Sequence, residues 1–203
     1  MGWFIMSVLS GTEIKRKIMH MLFGIIVVIL LYFRLIGKMH IFFLIIIGIF
    51  VSFLSKKYKI PIVYWIMQHI ERNSDMKSFP GRGWIFYLIG IFLVLNFFPL
   101  DIAMAAIFVL AFADSASHLV GIRFGKIKHP FVSTKFIEGW FAGLIAGFLA
   151  ALAFVPWHEA LAGSFFAMLV EGIEIKLGVD EVDDNILIPV VAAIAIWGVR
   201  ALF

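Results

Sequence analysis

Apolar residues fall into seven long runs separated by short polar stretches, at 18–36, 40–55, 83–99, 102–122, 136–155, 157–175 and 186–203. A helix rises 1.5 Å per residue, so about 20 such residues cross a hydrocarbon core about 30 Å thick. In lipid every backbone N–H and C=O must be paired within its own segment, which makes these runs helices rather than open strands. The expected fold is therefore all-α, a polytopic transmembrane helical bundle of about seven spans, forming one integral-membrane domain over residues 1–203. Two runs fit less well. The second is short, and the sixth begins with His158 and Glu159 and ends with Glu171 and Glu174, so these two are open to a half-buried or re-entrant form. Between the second and third runs, IPIVYWIMQHI at 60–70 lies between charge clusters and is too short to span. An interfacial helix on the membrane surface is expected there, followed by a turn at FPGRGW.

Composition supports the membrane reading and removes several chemistries. The chain is 63% hydrophobic with no cysteine and a mean hydropathy of +1.06, far from an ordinary soluble domain. Disulfides and thiol metal sites are excluded. The first apolar run has basic residues before it but no small-residue cleavage pattern after it, so it is expected to be a retained helix. With a cytoplasmic N-terminus, nearly all Lys and Arg residues fall on the cytoplasmic side, and only Arg34, Lys38 and Arg200 lie elsewhere. That asymmetry is what the positive-inside rule demands. The acids share the same side, except Asp101 and Glu159, so chemistry is expected at the cytoplasmic face of a cell membrane or another internal membrane. No internal repeat is visible.

Against this background the segment 114–139, DSASHLVGIRFGKIKHPFVSTKFIEG, stands out. Asp114 lies inside the fourth run, about 12 Å from its polar end, where an uncompensated charge costs several kcal/mol. It suits a magnesium ligand or a base for an attacking hydroxyl; the alternative is an ion pair with a Lys or Arg of another helix. His118 shares its face at i+4. Arg123, Lys126, Lys128 and Lys135 follow, then Glu138, with Gly121, Gly125 and Gly139 able to let backbone approach a ligand. Residues 121–126 lack the Walker A spacing and its Ser or Thr, so a P-loop is unsupported, and the basic loop could equally bind anionic headgroups. In the first run, Glu13, Arg16, Lys17 and His20 share one helical stripe. Gly139, Gly143 and Gly147 form a packing ridge. Before the last run, Glu171, Glu174, Asp180, Glu181, Asp183 and Asp184 gather; Asp183, Asp184 and Asn185 either cap that helix or supply a second set of metal ligands.

Four stretches then carry a family resemblance: RKIMH at 16–20, PGRGWIFYLIG at 80–90, the block from Asp114 through Gly121, Arg123, Phe124, Gly125 and Lys126 to Lys135, Glu138 and Gly139, and DDNILIP at 183–189. They occur in family order over most of the chain, which resembles the CTP-dependent lipid kinases that include dolichol kinase, phytol kinase and the CTP-using diacylglycerol kinase, themselves similar to the CDP-diacylglycerol synthases. Ala113 and Phe136 depart from the family pattern without removing a charge. The resemblance implies transfer of the γ-phosphate of CTP to the hydroxyl of a dolichol- or polyprenol-type isoprenoid alcohol, with Mg²⁺. It implies Asp114, Lys135, Glu138 and His20 as catalytic residues. Arg16, Lys17, Gly121, Arg123, Gly125, Lys126 and Lys128 would bind the nucleotide, and Asp114, Asp184, Glu171 and Asp183 the metal. The implied partners are CTP, a lipid alcohol and the bilayer, with no nucleic acid; the oligomeric state is left open. The synthases carry a longer C-terminal signature with a His-Gly-Gly run that this sequence lacks, so phosphoryl rather than cytidylyl transfer is expected. The alternatives are a CDP-lipid synthase and, in another class, an ion-coupled transporter or lipid-binding membrane protein with Asp114 as its coupling-ion site.

Overall fold

The apolar runs each become one helix. The computed structural model describes residues 11–58, 79–132, 134–173, 176–177 and 180–202, and within them the helices are α1 Gly11–Tyr32, α2 Lys38–Lys57, α3 Arg82–Phe97, α4 Leu100–Phe124, α5 Ile137–Ala151, α6 Trp157–Glu171 and α7 Asp184–Leu202. The only ladder among the described residues is short: β1 Lys176–Leu177 pairs antiparallel with β2 Asp180–Glu181. The helical-bundle expectation holds. The interfacial helix expected at 60–70 lies outside the described residues.

Boundaries follow local chemistry. Pro99 and Pro156 precede α4 and α6, where a missing N–H costs nothing because first-turn donors have no helical partner. Lys38–Ser55, Leu100–Phe124 and Asp184–Leu202 are long and apolar enough to cross a membrane. The fifth and sixth runs shorten to helices of 15 residues each, or about 22 Å, because the chain turns at 152–154 and again after Glu171. In a bilayer the exposed faces of α2 (Phe42, Phe43, Ile47, Phe50 and Phe53) and of α5 (Phe141, Ile145 and Leu149) meet lipid.

The core forms around α4, which packs against α1, α3, α5, α6 and α7. Its Ala103, Ala105, Ala106, Ala111 and Ala113 are fully buried, and small side chains let neighbouring backbones come close where lipid supplies no hydrophobic drive. The expected glycine ridge on α5 is that contact. A Cβ on Gly139 would collide with the Ser117 carbonyl oxygen, one on Gly143 would lie 2.8 Å from Met168 Sδ, and one on Gly147 would lie 2.6 Å from Ser164 Oγ. A second close approach joins α3 to α7. Pro189 lacks the N–H that would bond the Asn185 carbonyl, and Gly90 packs against that carbonyl oxygen, where any Cβ would collide.

Helix direction places like ends together. The beginnings of α4 and α6 and the end of α7 meet at one end, where Arg200 binds Asp101 and Glu159. These are three of the residues that charge patterning set apart from the rest. The other end collects the start of α1, the end of α4, the start of α5, the end of α6 and the start of α7.

Candidate active site

Two cation-centred clusters form at that second end. In the first, the α1 stripe faces α4. Lys17 Nζ lies 2.5 Å from Asp114 Oδ2, and His20 Nδ1 lies 3.6 Å from the same oxygen. All three residues are buried, so the carboxylate inside the apolar run is compensated by a lysine one helix away. The Ser115 hydroxyl donates to the Lys17 carbonyl at 3.3 Å, fixing the pairing register. One turn nearer the surface, Glu13 Oε2 accepts from Arg16 at 2.8 Å and lies 3.1 Å from His118 Nε2. The i, i+4 face of Asp114 and His118 thus meets the i, i+4 face of Glu13 and Lys17.

His20 sits edge-on to Tyr87, at 4.3 Å between ring centroids, and to Trp84, at 5.8 Å. The Tyr87 hydroxyl donates to the His20 carbonyl at 3.4 Å. Sequence reasoning missed these two aromatics, although both stand within PGRGWIFYLIG.

The second cluster centres on Lys135. Its ammonium lies 2.8 Å from Glu171 Oε1 and 3.2 Å from Asp184 Oδ2, and it also donates to the Glu171 carbonyl. Ser117 of α4 donates to Glu171 Oε1 at 3.2 Å, which ties the two clusters through one helix. Burial works to lower the Lys135 pKa, but the charges of Glu171 and Asp184 outweigh it and hold the group above the ordinary lysine value. The neighbouring acid does something else. Asp183 Oδ1 accepts from the Asn185 backbone N–H at 3.1 Å and from its side-chain amide at 2.7 Å, which is an N-cap. Burial raises its pKa above the usual carboxylate value, and Arg82 Nε stands 3.7 Å away.

The basic hairpin between α4 and α5 is held from below. Glu138 Oε1 accepts from the backbone N–H groups of Lys126 and Ile127 at 3.0 and 3.2 Å, and Lys128 bridges antiparallel to Phe136. Lys128 Nζ also lies 4.1 Å from the Phe136 ring centroid. Arg123, Lys126 and Lys128 are exposed, and among the described residues none of them makes an ion pair. Gly121 and Gly125 face protein: a Cβ on Gly121 would make ordinary contact with Gly139 Cα at 3.5 Å, and one on Gly125 would strike the Gly121 carbonyl and the Phe136 ring. Their part in this arrangement is to bring α4 and α5 together beneath the hairpin.

The four acids expected to bind metal do not converge. Asp114 faces Lys17, Asp183 caps α7, and among the described residues no three acid or histidine side chains group closely enough for a metal. Magnesium, however, is commonly held by one or two carboxylates plus substrate phosphates rather than by a full protein cage. Glu171 and Asp184 fit that smaller requirement, because their oxygens already converge on one cationic nitrogen beside the Glu171 carbonyl.

An uncharacterized protein of Methanocaldococcus jannaschii is 31% identical over 188 residues, covering 91% of this chain and 92% of its own length. CTP-dependent diacylglycerol kinase 1 of Eremothecium gossypii is 26% identical over 151 residues, covering 62% of this chain. A probable chloroplastic phytol kinase of Triticum aestivum is 30% identical over 125 residues, covering 53% of this chain. The chain spans 46% and 41% of those two kinases. No protein-family profile and no solved structure matches the sequence.

Proposed function

We propose, because this chain belongs to the CTP-dependent lipid kinase family, that it transfers the γ-phosphate of CTP to the hydroxyl of a membrane isoprenoid alcohol, of dolichol or polyprenol type, at the cytoplasmic face of a multi-pass membrane domain. The observation that supports it best is the division of cations at one end of the bundle. Lys17 and Lys135 are each fixed on acids, while exposed Arg123, Lys126 and Lys128 have charge to spare for a triphosphate. Phosphoryl transfer needs positioning and charge neutralisation more than covalent help from protein.

In this reading the alcohol oxygen forms a bond to the γ-phosphorus, the bond from that phosphorus to the β-phosphate oxygen breaks, and CDP leaves. Asp114 accepts the hydroxyl proton, while Lys17 and His20 hold the carboxylate in place. Arg123, Lys126 and Lys128 grip the phosphates, Arg16 closes the site from α1, and Glu138 keeps the hairpin in register. Lys135 holds Glu171 and Asp184 together and faces the transferred group. Magnesium, when bound by Glu171 and Asp184, supplies neutralisation of phosphate charge.

The test is direct. Purified protein in lipid nanodiscs, with Mg²⁺ and labelled CTP or ATP, is given a panel of lipid alcohols and the labelled lipid is identified. Phosphorylated isoprenoid alcohol with release of CDP is expected. Pyrophosphate release with a CDP-linked lipid would instead identify a cytidylyltransferase, and absence of any labelled lipid would remove the enzyme reading.

A further inference from the structure

Beside the charged clusters lies an apolar cavity of about 220 Å³ that the phosphate chemistry does not use. Ile137 and Trp140 of α5 form one wall, Leu169 of α6 and Ile173 just beyond that helix another, with His129 and Phe131 of the hairpin above them. The segments that build it also carry the second cluster. The His129 N–H donates to the Lys135 carbonyl at 3.0 Å across the hairpin, and Leu169 and Ile173 bracket Glu171 in sequence.

Three details suit an amphiphile. The Trp140 indole N–H is spent on the Met168 carbonyl at 2.7 Å, so this side chain offers the cavity no free donor. Among the described residues His129 is the one ionisable residue in the lining; its Nδ1 is buried with no hydrogen-bond partner among them, and its ring packs so close to Gly172 that a Cβ there would lie 2.8 Å from Cε1. The rim is open, since Phe131 is 75% and Ile173 46% exposed. Trp140 stands in the first turn of α5, the level at which membrane tryptophans concentrate and at which a lipid alcohol presents its hydroxyl.

We propose that this cavity holds the hydroxyl-proximal part of the acceptor lipid, and that the acceptor is a single-chain alcohol rather than a diacylglycerol. The proposal rests on the kinase reading of the neighbouring clusters. A volume of about 220 Å³ is below the roughly 300 to 1,000 Å³ of pockets that enclose a whole drug-sized ligand. It takes the start of one hydrocarbon chain, leaves the remainder in the bilayer, and gives the two chains of a diglyceride no room to enter together.

The test uses the full chain in phosphatidylcholine nanodiscs and a farnesol analogue carrying a diazirine. Irradiation without CTP should place adducts on the peptides 129–140 and 169–173, suppressed by excess farnesol and not by excess dioleoylglycerol. Adducts confined to α2, adducts that excess farnesol leaves unchanged (annular lipid only), or equal suppression by the diglyceride would overturn it. In turnover assays, Leu169→Trp and Ile173→Trp should each raise KM for farnesol about tenfold with KM for CTP unchanged; an unchanged farnesol KM in both would also overturn it. Should the unaltered protein phosphorylate no alcohol from CTP, the kinase reading fails by itself, while photolabelling still reports on the cavity.

Discussion

The two ends of the bundle both gather charge, and they use it differently. At one end Arg200 makes a bidentate pair with Glu159, at 3.0 Å from Nε to Oε1 and 2.6 Å from NH2 to Oε2, and a third contact of 2.7 Å to Asp101. Both acids sit in the first turn of a helix and the arginine in the last turn of another, where the helix dipoles favour those signs. The guanidinium fork is spent and its geometry is rigid. At the opposite end the cations fixed on buried acids are lysines, Lys17 on Asp114 and Lys135 on Glu171, which are point charges on flexible stems, while Arg123 at the end of α4 and Lys126 and Lys128 of the hairpin make no ion pair among the described residues. One end clamps helices, and the other keeps binding capacity in hand.

Breaking each end should therefore give different losses. Lys135→Ala is expected to have the largest effect, a fall in turnover per folded molecule of about 10²- to 10³-fold, as for removal of a positioned charge from a transition state, together with a loss of stability because buried Glu171 is left without its cation. Arg200→Ala should share the loss of stability and not the loss of turnover. It leaves Glu159 buried without its cation and lowers stability by about 3 kcal/mol, while the molecules that stay folded, counted by size-exclusion in detergent, turn over normally. A large loss of turnover per folded molecule in Arg200→Ala would erase the contrast between the ends.

Asp114 tests whether a pair serves structure or chemistry. Asp114→Asn alone strands the Lys17 ammonium and should lose both stability and turnover. The double variant Lys17→Met/Asp114→Leu removes both charges and should recover much of the stability, since an apolar replacement of a buried pair is often neutral or better. Turnover should stay absent, and recovered turnover would make the pair purely structural. A smaller effect is expected in the hairpin, where Lys126→Ala should raise KM for CTP about fivefold and leave KM for the alcohol alone. Smallest is the pH effect. The Lys135 pKa is raised in the folded protein, so its stabilising contribution is complete below the unfolded value of about 10.4 and is lost only as pH rises through the folded one. The part of the stability gap between the parent and Lys135→Ala that comes from the ammonium should disappear in strong alkali, as thermal melts at a series of high pH values would show.

Much of this arrangement was legible in the chain. Apolar runs near 20 residues have no stable form in lipid but helices, so each one appears as a helix. The Gly139, Gly143 and Gly147 ridge could be recognised because a repeated small residue has few uses other than close packing. Glu13, Lys17, Asp114 and His118 could be grouped by helical period into two faces, and those faces do meet. Partner choice was less legible. Asp183 and Asp184 are adjacent and chemically alike, yet one caps α7 and the other reaches Lys135, because successive helical side chains point about 100° apart. The resemblance put Glu138 among the reacting residues, and what the sequence did not reveal is that from the first turn of α5 its carboxylate accepts from the hairpin backbone. Trp84 and Tyr87 stand in a stretch that carries the family resemblance, but nothing marked them individually, since aromatic residues are common in any membrane helix.

The segment 114–139 shows where the boundary falls. By itself the sequence determined that its charges lie at one end of an apolar bundle, since hydrophobic length and charge asymmetry are one-dimensional properties that lipid and water sort without further detail. Only the tertiary structure decided that Asp114 is met by Lys17, 97 residues away, that Lys135 holds Glu171 and Asp184 together, and that an apolar cavity opens beside them. Those outcomes depend on which helix faces which, and that is set by close contacts such as Gly139 on Ser117 and Gly90 on Asn185, whose energies come from packing in three dimensions.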